Sequence, residues 1–445
     1  MMKKFTKSLL LAVPVALTPL AANLAVESLG FPALTSATLQ AQEEKKKTQY
    51  KTKKSYSLRQ PVFKDFAKVQ EKTEAEDWNG ALVVLKELES KKAPKYTSFE
   101  KANLWNYFGW IYYSLENFDQ AIRYYQKVLA EEQLSDALKL GTLYTLAQLQ
   151  FVQEDYRAAI DLLKQWMAIQ PIVGADAYVL LAQGYYQLGD MKQAMVNVDI
   201  AVERFESKGK VPKENWYALQ RAVYYDKGDN KKVIEILQKL VKHYPKATYW
   251  KQLSGMYGMV GRDKDQLHSL ETAYLMGAVT KEKELMNLAY LFMGEDAPYK
   301  AAKVIDKGIK AKQIEETSKN LEILATAWRM AQEVKKSIPE MEKAASKSDK
   351  GDLYASLANI YQLDENYAKA IAAGQKALER GGVKRLSQLH SVLGVALINQ
   401  KKYRKAIEQF KLAEKAAKTK LDKQYAGQML EYAKSEMKRE ESLKI

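Results

Sequence analysis

Apolar residues recur along this chain in pairs of helical stripes separated by short polar turns, and the pair itself repeats about ten times between Pro61 and Glu414. The clearest copies begin at Leu104, Asp176, Asp352 and Leu389. In each copy, apolar residues at spacings of three and four predict two consecutive amphipathic helices. One such pair cannot bury its apolar face alone, whereas a stack of pairs can. The pattern therefore predicts an all-α fold, an α-solenoid of about ten helix-turn-helix repeats with a capping helix at the C-terminal end.

A small residue near the start of the second helix sets the register of each repeat, and we call this residue the anchor. The anchors are Ala81, Ala121, Ala159, Ala194, Val233, Gln266, Ala301, Ser337, Ala370 and Ala406. Their mean spacing is about 36 residues, close to the period of known two-helix repeats. Twelve positions earlier, eight repeats carry a second small residue: Gly109, Ala147, Ala182, Ser254, Ala289, Ala325, Ala358 and Gly394. Small side chains at a fixed phase predict that the two helices of each hairpin approach closely.

Individual repeats resemble the tetratricopeptide-repeat family. The residues that match the family pattern are Trp105, Gly109, Tyr112, Phe118, Ala121 and Tyr125 in one repeat, Gly189, Ala194 and Ala201 in another, and Pro171 and Pro245 as closing prolines. The resemblance covers roughly four-fifths of the chain. It implies a protein that binds other polypeptides rather than one that catalyses a reaction. The repeats anchored at Gln266 and Ser337 depart most from the pattern, so their boundaries are the least defined.

Residues 1–42 have the pattern of a secretory signal. Three lysines precede a charge-free run of 19 residues, Ser8–Val26, and a region of small residues follows. This order predicts export to the periplasm, with cleavage near Gln42. The alternative is an uncleaved anchor in the inner membrane, although Pro14 and Pro19 disfavour a regular membrane helix and the run is of marginal length. The chain has no cysteine, which fits an exported protein whose core needs no disulfide.

The remaining sequence divides into a basic flexible arm at 43–60, the solenoid at 61–414, and a capping helix and tail at 415–445. The formal net charge is +16, and the segment 43–59 holds seven basic and two acidic residues. Such an arm attracts anionic surfaces, so phospholipid headgroups or an acidic protein are candidate partners, and the alternative is a soluble spacer. An exported protein is not expected to bind nucleic acid. Four residues of the last helix recur at spacings of three and four and are predicted to cover the final repeat: Leu421, Tyr425, Met429 and Tyr432.

The sequence contains no pattern typical of an active site. The three histidines, His243, His268 and His390, lie far apart and lack neighbours at metal-ligand spacing. Neither a glycine-rich phosphate loop nor a known nucleophile motif occurs, and the lack of cysteine excludes thiol catalysis. We therefore expect a protein that is not an enzyme and that needs no metal or cofactor.

A candidate binding surface follows from the register. Eight positions before the anchor, four consecutive repeats carry aromatic rings, and three positions earlier lie mostly polar or aromatic residues. This aromatic row consists of Trp110, Tyr113, Gln148, Phe151, Gln183, Tyr186 and Tyr225. A spacing of three places both sets on one helix face. Rings and amides on one surface suit an extended peptide, because rings cover apolar side chains and amides bind the backbone. The alternative is that the rings belong to the core.

Two functional hypotheses remain. The first is a periplasmic adaptor or scaffold that binds an extended peptide or protein partner on its concave face. The whole chain is also similar to periplasmic tetratricopeptide-repeat proteins associated with TonB systems of marine gammaproteobacteria, through its signal, the segment Arg59–Phe66 and the repeat array. That similarity implies TonB-system components as partners and an accessory role in TonB-dependent uptake. The second hypothesis is a structural assembly factor of the membrane or cell wall, held by an uncleaved N-terminal anchor.

Overall fold

The computed structural model describes residues 56–443. Within this range the regular elements are 21 α-helices and one 3-10 helix at Ala93–Lys95, and there is no β-strand. The predicted signal at 1–42 and most of the predicted basic arm lie outside the described residues. The prediction of an all-α fold is confirmed.

The helices form ten consecutive hairpins and one final helix. The first five hairpins consist of α1 (Gln60–Glu74), α2 (Trp78–Lys91), α3 (Ser98–Ser114), α4 (Phe118–Leu129), α5 (Asp136–Val152), α6 (Tyr156–Ile169), α7 (Ala175–Gln187), α8 (Met191–Glu206), α9 (Glu214–Lys227) and α10 (Asn230–His243). The next five consist of α11 (Ala247–Met259), α12 (Asp263–Leu275), α13 (Glu282–Gly294), α14 (Pro298–Lys310), α15 (Ser318–Met330), α16 (Val334–Ser346), α17 (Asp352–Leu363), α18 (Tyr367–Arg380), α19 (Leu386–Asn399) and α20 (Tyr403–Ala416). The final helix is α21 (Lys420–Ser442). Odd-numbered helices up to α19 are the first helices of their hairpins, and even-numbered helices are the second.

Every hairpin turns on one residue in the left-handed region of backbone conformation. The ten residues with positive φ at the turns are Glu76, Glu116, Glu154, Gly189, Gly228, Gly261, Asp296, Gln332, Glu365 and Lys401. Each lies five positions before its anchor, so the register counted from the sequence holds in all ten hairpins. This includes the two degenerate repeats, whose turns are at Gly261 and Gln332.

The turn at residues 115–118 illustrates how so short a connection satisfies both helix ends. The backbone N–H of Glu116 donates to the carbonyl of Tyr113, and that of Asn117 donates to the carbonyl of Tyr112. This pair of bonds is the Schellman motif, which satisfies carbonyls at the end of a helix. The side chain of Asn117 then accepts from the backbone N–H of Gln120 and caps α4. One residue therefore ends the first helix and begins the second.

The small residues act where the two helices of a hairpin touch. A Cβ atom added to Gly109 would lie 2.8 Å from the ring of Tyr125, and one added to Gly394 would lie 2.6 Å from the ring of Phe410. Both rings are fully buried, and each lies four positions after its anchor. The small side chain on the first helix therefore leaves the space that a large ring on the second helix fills.

The described chain divides into two compact units between Ile236 and Leu237, within α10. In unit 1, the second helix of each hairpin packs on the first helix of the next, through the pairs α2–α3, α4–α5, α6–α7 and α8–α9. Its largest buried side chains include Phe108, Tyr125 and Trp216. In unit 2, the pairs α12–α13, α14–α15, α16–α17 and α18–α19 pack in the same way. Each unit is thus a stack of hairpins with the core between neighbouring helices.

The final helix caps unit 2, but with a different face from the one predicted. Helix α21 packs on α19 and α20 through three buried residues: Ala426, Leu430 and Ala433. The predicted face lies one position earlier along the helix. Of its four members, only Met429 packs against the last core cluster, while Leu421, Tyr425 and Tyr432 are exposed. The prediction of the face was wrong because two alanines, rather than the larger residues beside them, allow α21 to approach closely.

The described end of the predicted arm is packed rather than free. Tyr56 stacks on Phe99 with ring centroids 5.6 Å apart. The guanidinium of Arg59 donates to both carboxylate oxygens of Glu100 on α3, at 2.7 and 2.6 Å. The Glu100 carboxylate also accepts from the backbone N–H of Thr97, which completes a capping box at the start of α3. Residues 56–59 therefore belong to the folded part of unit 1.

Candidate binding site on the first helices

The predicted aromatic row lies in unit 1, on four first helices. Helix α3 carries Trp110 and Tyr113, α5 carries Gln148 and Phe151, α7 carries Gln183 and Tyr186, and α9 carries Tyr225. The seven residues are not equally accessible, because the packing between neighbouring repeats buries some of them.

On α3, both rings are partly buried. The ring of Trp110 lies edge-on to that of Trp78 on α2, with centroids 5.6 Å apart. The ring of Tyr113 lies 6.0 Å from that of Phe118 on α4, and burial raises the pKa of Tyr113. Each side chain therefore leaves part of its surface for a ligand while packing on a neighbouring helix.

The row is interrupted at α5. Phe151 is only 8% exposed and belongs to a core cluster with Ile160. The end of its ring lies 3.2 Å from the point where a Cβ on Gly184 would stand, so it fills the space beside that glycine on α7. Gln148 is also buried. The prediction that these two side chains face a ligand is wrong, because the packing of α5 against its neighbours uses both of them.

On α7 and α9 the row is open again. Tyr225 is 41% exposed, and Gln183 and Tyr186 are half-buried. The hydroxyl of Tyr186 donates a hydrogen bond to Oδ2 of Asp226 at 2.8 Å. Burial and, after it, this bond raise the pKa of Tyr186 to about 12. Tyr186 presents a ring whose hydroxyl is held by Asp226.

Unit 2 has a cavity that is lined by first-helix positions equivalent to those of the aromatic row in unit 1. Its volume is about 1080 Å³, and residues of α15, α17, α19 and α21 line it. The lining includes Thr326, Arg329, Asn359, Gln362 and Val395. Counted from their anchors, all five occupy the two positions that form the aromatic row in unit 1. One face of the first helix thus borders open space in both units.

Sequence reasoning missed the cavity in unit 2 because it searched for aromatic rings. The register alone could have located it, since five of the six residues at the same two positions in the last three repeats line it. Asn359 and Gln362 place amide groups in the cavity, with Ser356 on the same face of α17. This surface offers hydrogen-bond donors and acceptors where unit 1 offers rings.

The three histidines do not form a metal site or a catalytic site in the described range. Nδ1 of His390 lies 2.8 Å from Oε1 of Gln409, while His243 and His268 are exposed. Across residues 56–443, no cluster of three or more histidine, cysteine or acidic side chains is arranged to hold a metal ion. The candidate site therefore offers a ligand aromatic rings, amide groups and charged side chains.

Residues 36–207, less than half of the chain, match the RNPP family C-terminal domain. No curated protein matches the sequence. Similar solved structures include the MamA protein, with 18% identity over 38% of this chain and 91% of that chain and a TM-score of 0.33. YrrB, described as a TPR protein with an unusual peptide-binding site, has 17% identity over 42% and 89%, with a TM-score of 0.33. The TPR2AB domain of yeast Sti1, in a complex with pHSP90, has 16% identity over 62% and 98%, with a TM-score of 0.32.

The ten hairpins, their common turn and their small-residue contacts define the class of fold. It is an α-solenoid of helix-turn-helix repeats.

Proposed function

We propose that this protein is an exported adaptor that holds an extended polypeptide partner against its first helices. One observation carries the proposal. The two positions that form the aromatic row in unit 1 also line the cavity of unit 2, at Thr326, Arg329, Asn359, Gln362 and Val395. Within each unit, several first helices leave this face open at the spacing of the repeat, and such a surface suits an extended chain.

The chemistry of the two surfaces supports a polypeptide ligand. In unit 1, the partly exposed rings of Trp110, Tyr186 and Tyr225 can cover apolar side chains. In unit 2, the amides of Asn359 and Gln362 can pair with backbone N–H and carbonyl groups. Neither surface holds the arrangement of nucleophile, base and orienting group that catalysis requires.

The proposed location is the periplasm, on the strength of the secretory pattern in residues 1–42. The overall sequence resemblance favours an accessory role in TonB-dependent uptake, with TonB-system components among the partners. The basic arm would then meet an acidic protein or the anionic membrane surface. Among the helices of residues 56–443, none combines the length and apolar character of a membrane-spanning segment.

Photo-crosslinking in cells tests the binding surface directly. Benzoylphenylalanine placed at Gln183 on α7 or Asn359 on α17 should form an adduct with one specific polypeptide. Matched controls are Gln165 on α6 and Gln375 on α18, which are exposed on second helices. An adduct pattern that is the same at all four positions, or the absence of any adduct, would contradict the proposed function.

The alternative function, an assembly factor of the membrane or cell wall, depends on an uncleaved N-terminal anchor. Intact-mass measurement of the protein from separated periplasmic and membrane fractions distinguishes the two. Loss of about 42 residues from periplasmic protein supports the adaptor. A full-length mass confined to the membrane fraction supports the assembly factor.

A further inference from the structure

Two large apolar side chains at the start of α21 are left uncovered. Leu421 is 76% exposed and Tyr425 is 45% exposed. Neither packs in the core beneath α21, which is formed by Ala426, Leu430 and Ala433. Both instead line the cavity of unit 2. Adjacent exposed apolar side chains that border a cavity are typical of a binding site.

The rest of the cavity is electropositive. Its lining contains five basic residues, Lys319, Arg329, Lys350, Lys384 and Arg385, and three acidic ones, Glu322, Asp352 and Asp422.

Two of the three acids are engaged within the fold. Asp352 forms an ion pair with Lys384 at 3.4 Å. The carboxylate of Asp422 accepts a hydrogen bond from the hydroxyl of Thr419 at 2.7 Å, at the start of α21. In the described part of the chain, Lys319 and Arg329 form no ion pair. With five basic and three acidic side chains, the lining has an excess of two positive charges, which favours a ligand that carries carboxylates.

We propose that unit 2 binds an extended acidic peptide segment whose terminal apolar side chains pack on Leu421 and Tyr425. This rests on the proposed function and names the partner's chemistry. Carboxylates of the segment face Lys319, Arg329 and Arg385, and its backbone lies against the amides of α17. Helix α21 thus has a second role beyond capping, since it forms the apolar end of the site.

The length of the segment follows from the spacing of the helices. Neighbouring packed helices lie roughly 9 Å apart, so the three steps from α15 to α21 span about 27 Å. An extended chain rises about 3.3 Å per residue, and about eight residues cover that distance. Synthetic peptides of about 12 residues are therefore long enough to reach both ends.

The test measures fluorescence anisotropy of labelled peptides with the full chain. Two peptides carry glutamates and one Phe-Leu pair each. The pair lies at the N-terminal end of one peptide and at the C-terminal end of the other, since the direction of binding is open. Each of them has two matched controls, one with glutamine in place of every glutamate and one with serines in place of the Phe-Leu pair. One acidic–apolar peptide should bind about tenfold or more tightly than both matched peptides, and its affinity should fall as salt screens the charges.

Protein variants assign the contacts. Tyr425→Ser should weaken the acidic–apolar peptide about fivefold or more and leave the serine-substituted peptide unchanged. Its control is Tyr432→Ser, on the same helix, also exposed but outside the cavity. Lys319→Gln should weaken the same peptide and reduce its salt dependence, whereas Lys335→Gln, an exposed site on α16, should do neither. Unchanged melting of each variant shows that the fold is intact.

The results distinguish a failure of the acidic–apolar peptide assignment from a failure of the adaptor function. Equal affinity of the Tyr425→Ser and Tyr432→Ser proteins, equal binding of the glutamine peptide, or no binding of any peptide would overturn the acidic–apolar assignment. If crosslinks still form at Gln183 and Asn359, the adaptor function stands while this assignment falls. If crosslinks fail at both positions, the adaptor function itself falls.

Discussion

The hydroxyl of Tyr186 on α7 donates a 2.8 Å hydrogen bond to Oδ2 of Asp226 on α9, so it joins the first helices of two consecutive repeats. The same ring belongs to the predicted aromatic row. A single side chain therefore contributes to the contact between repeats and offers a surface to a ligand. Its two roles are carried by different atoms, the hydroxyl and the ring, and substitutions can separate them.

Tyr186→Phe removes the hydroxyl and keeps the ring. We expect it to lower the free energy of unfolding by about 0.5–1 kcal/mol, because the bond is solvent-exposed and its net worth is modest. Tyr225→Phe is the control, since the described structure gives that hydroxyl no hydrogen bond. Urea denaturation of both variants measures the difference. Identical midpoints would show that the Tyr186–Asp226 bond does not help to hold the repeats together.

Much of the fold was predictable because the same residue pattern recurs in successive repeats. The anchors located every hairpin, including those with Gln266 and Ser337, since the turn residue lies five positions before each anchor. The buried face of α21 was not predictable in the same way. The choice between Tyr425 and Ala426 depends on how closely the helix approaches its neighbours, and no second copy of α21 exists to fix the phase.

The sequence could place the candidate site on a helix face but could not give the accessibility of its side chains. In both units, some side chains at the positions that the register selects border open space. Whether a given ring on that face is exposed depends on the neighbouring repeat. Phe151 is buried and fills the space beside Gly184, whereas Tyr225 is 41% exposed. This contact joins residues 33 positions apart, so a pattern within one repeat cannot reveal it.

Gly394 and Gly427 test the close approach of helices. Gly394→Ala places a Cβ 2.6 Å from the buried ring of Phe410, and we expect a loss of about 1–3 kcal/mol of stability from overpacking. Gly427→Ala meets open space on α21 and should gain about 0.5–1 kcal/mol from improved helix propensity. Thermal denaturation measures both. The same sign for the two variants would contradict the packing described for the small residues.

The turn residues predict a second pair of opposite effects. Glu154 has a φ of 61° and Gly189 a φ of 79° at equivalent turns. Because a Cβ is strained in this region, Glu154→Gly should stabilise the protein by up to about 1 kcal/mol, and Gly189→Ala should destabilise it by about 1 kcal/mol. Chemical denaturation of each variant against the wild type provides the comparison. A destabilised Glu154→Gly protein would be inconsistent with a strained turn.

The buried Glu100 predicts a dependence of stability on acid. Burial by itself raises the pKa of Glu100, but the hydrogen bonds from Arg59 and Thr97 outweigh it and lower the pKa from 4.5 to about 2. A lowered pKa in the folded state means that the stabilisation is present above pH 4.5 and is lost as the pH falls toward 2. Glu100→Gln should therefore melt below the wild type at neutral pH, with the gap closing through this window. Glu132→Gln, at an exposed loop position, is the control and should show no such closing gap.

A buried and an exposed member of the aromatic row should respond differently to truncation. Phe151→Ala empties a core position and should cost roughly 3 kcal/mol or more of stability. Tyr225→Ala removes a ring that is 41% exposed, so it should change melting little. If Tyr225 contacts the partner, its truncation should reduce affinity by about 1–2 kcal/mol or more. Melting temperature and the yield of the Gln183 crosslink, measured on the same two variants, provide the readouts. A Tyr225→Ala protein that melts as early as Phe151→Ala would place Tyr225 in the core. One that melts normally and crosslinks normally would remove it from the binding surface.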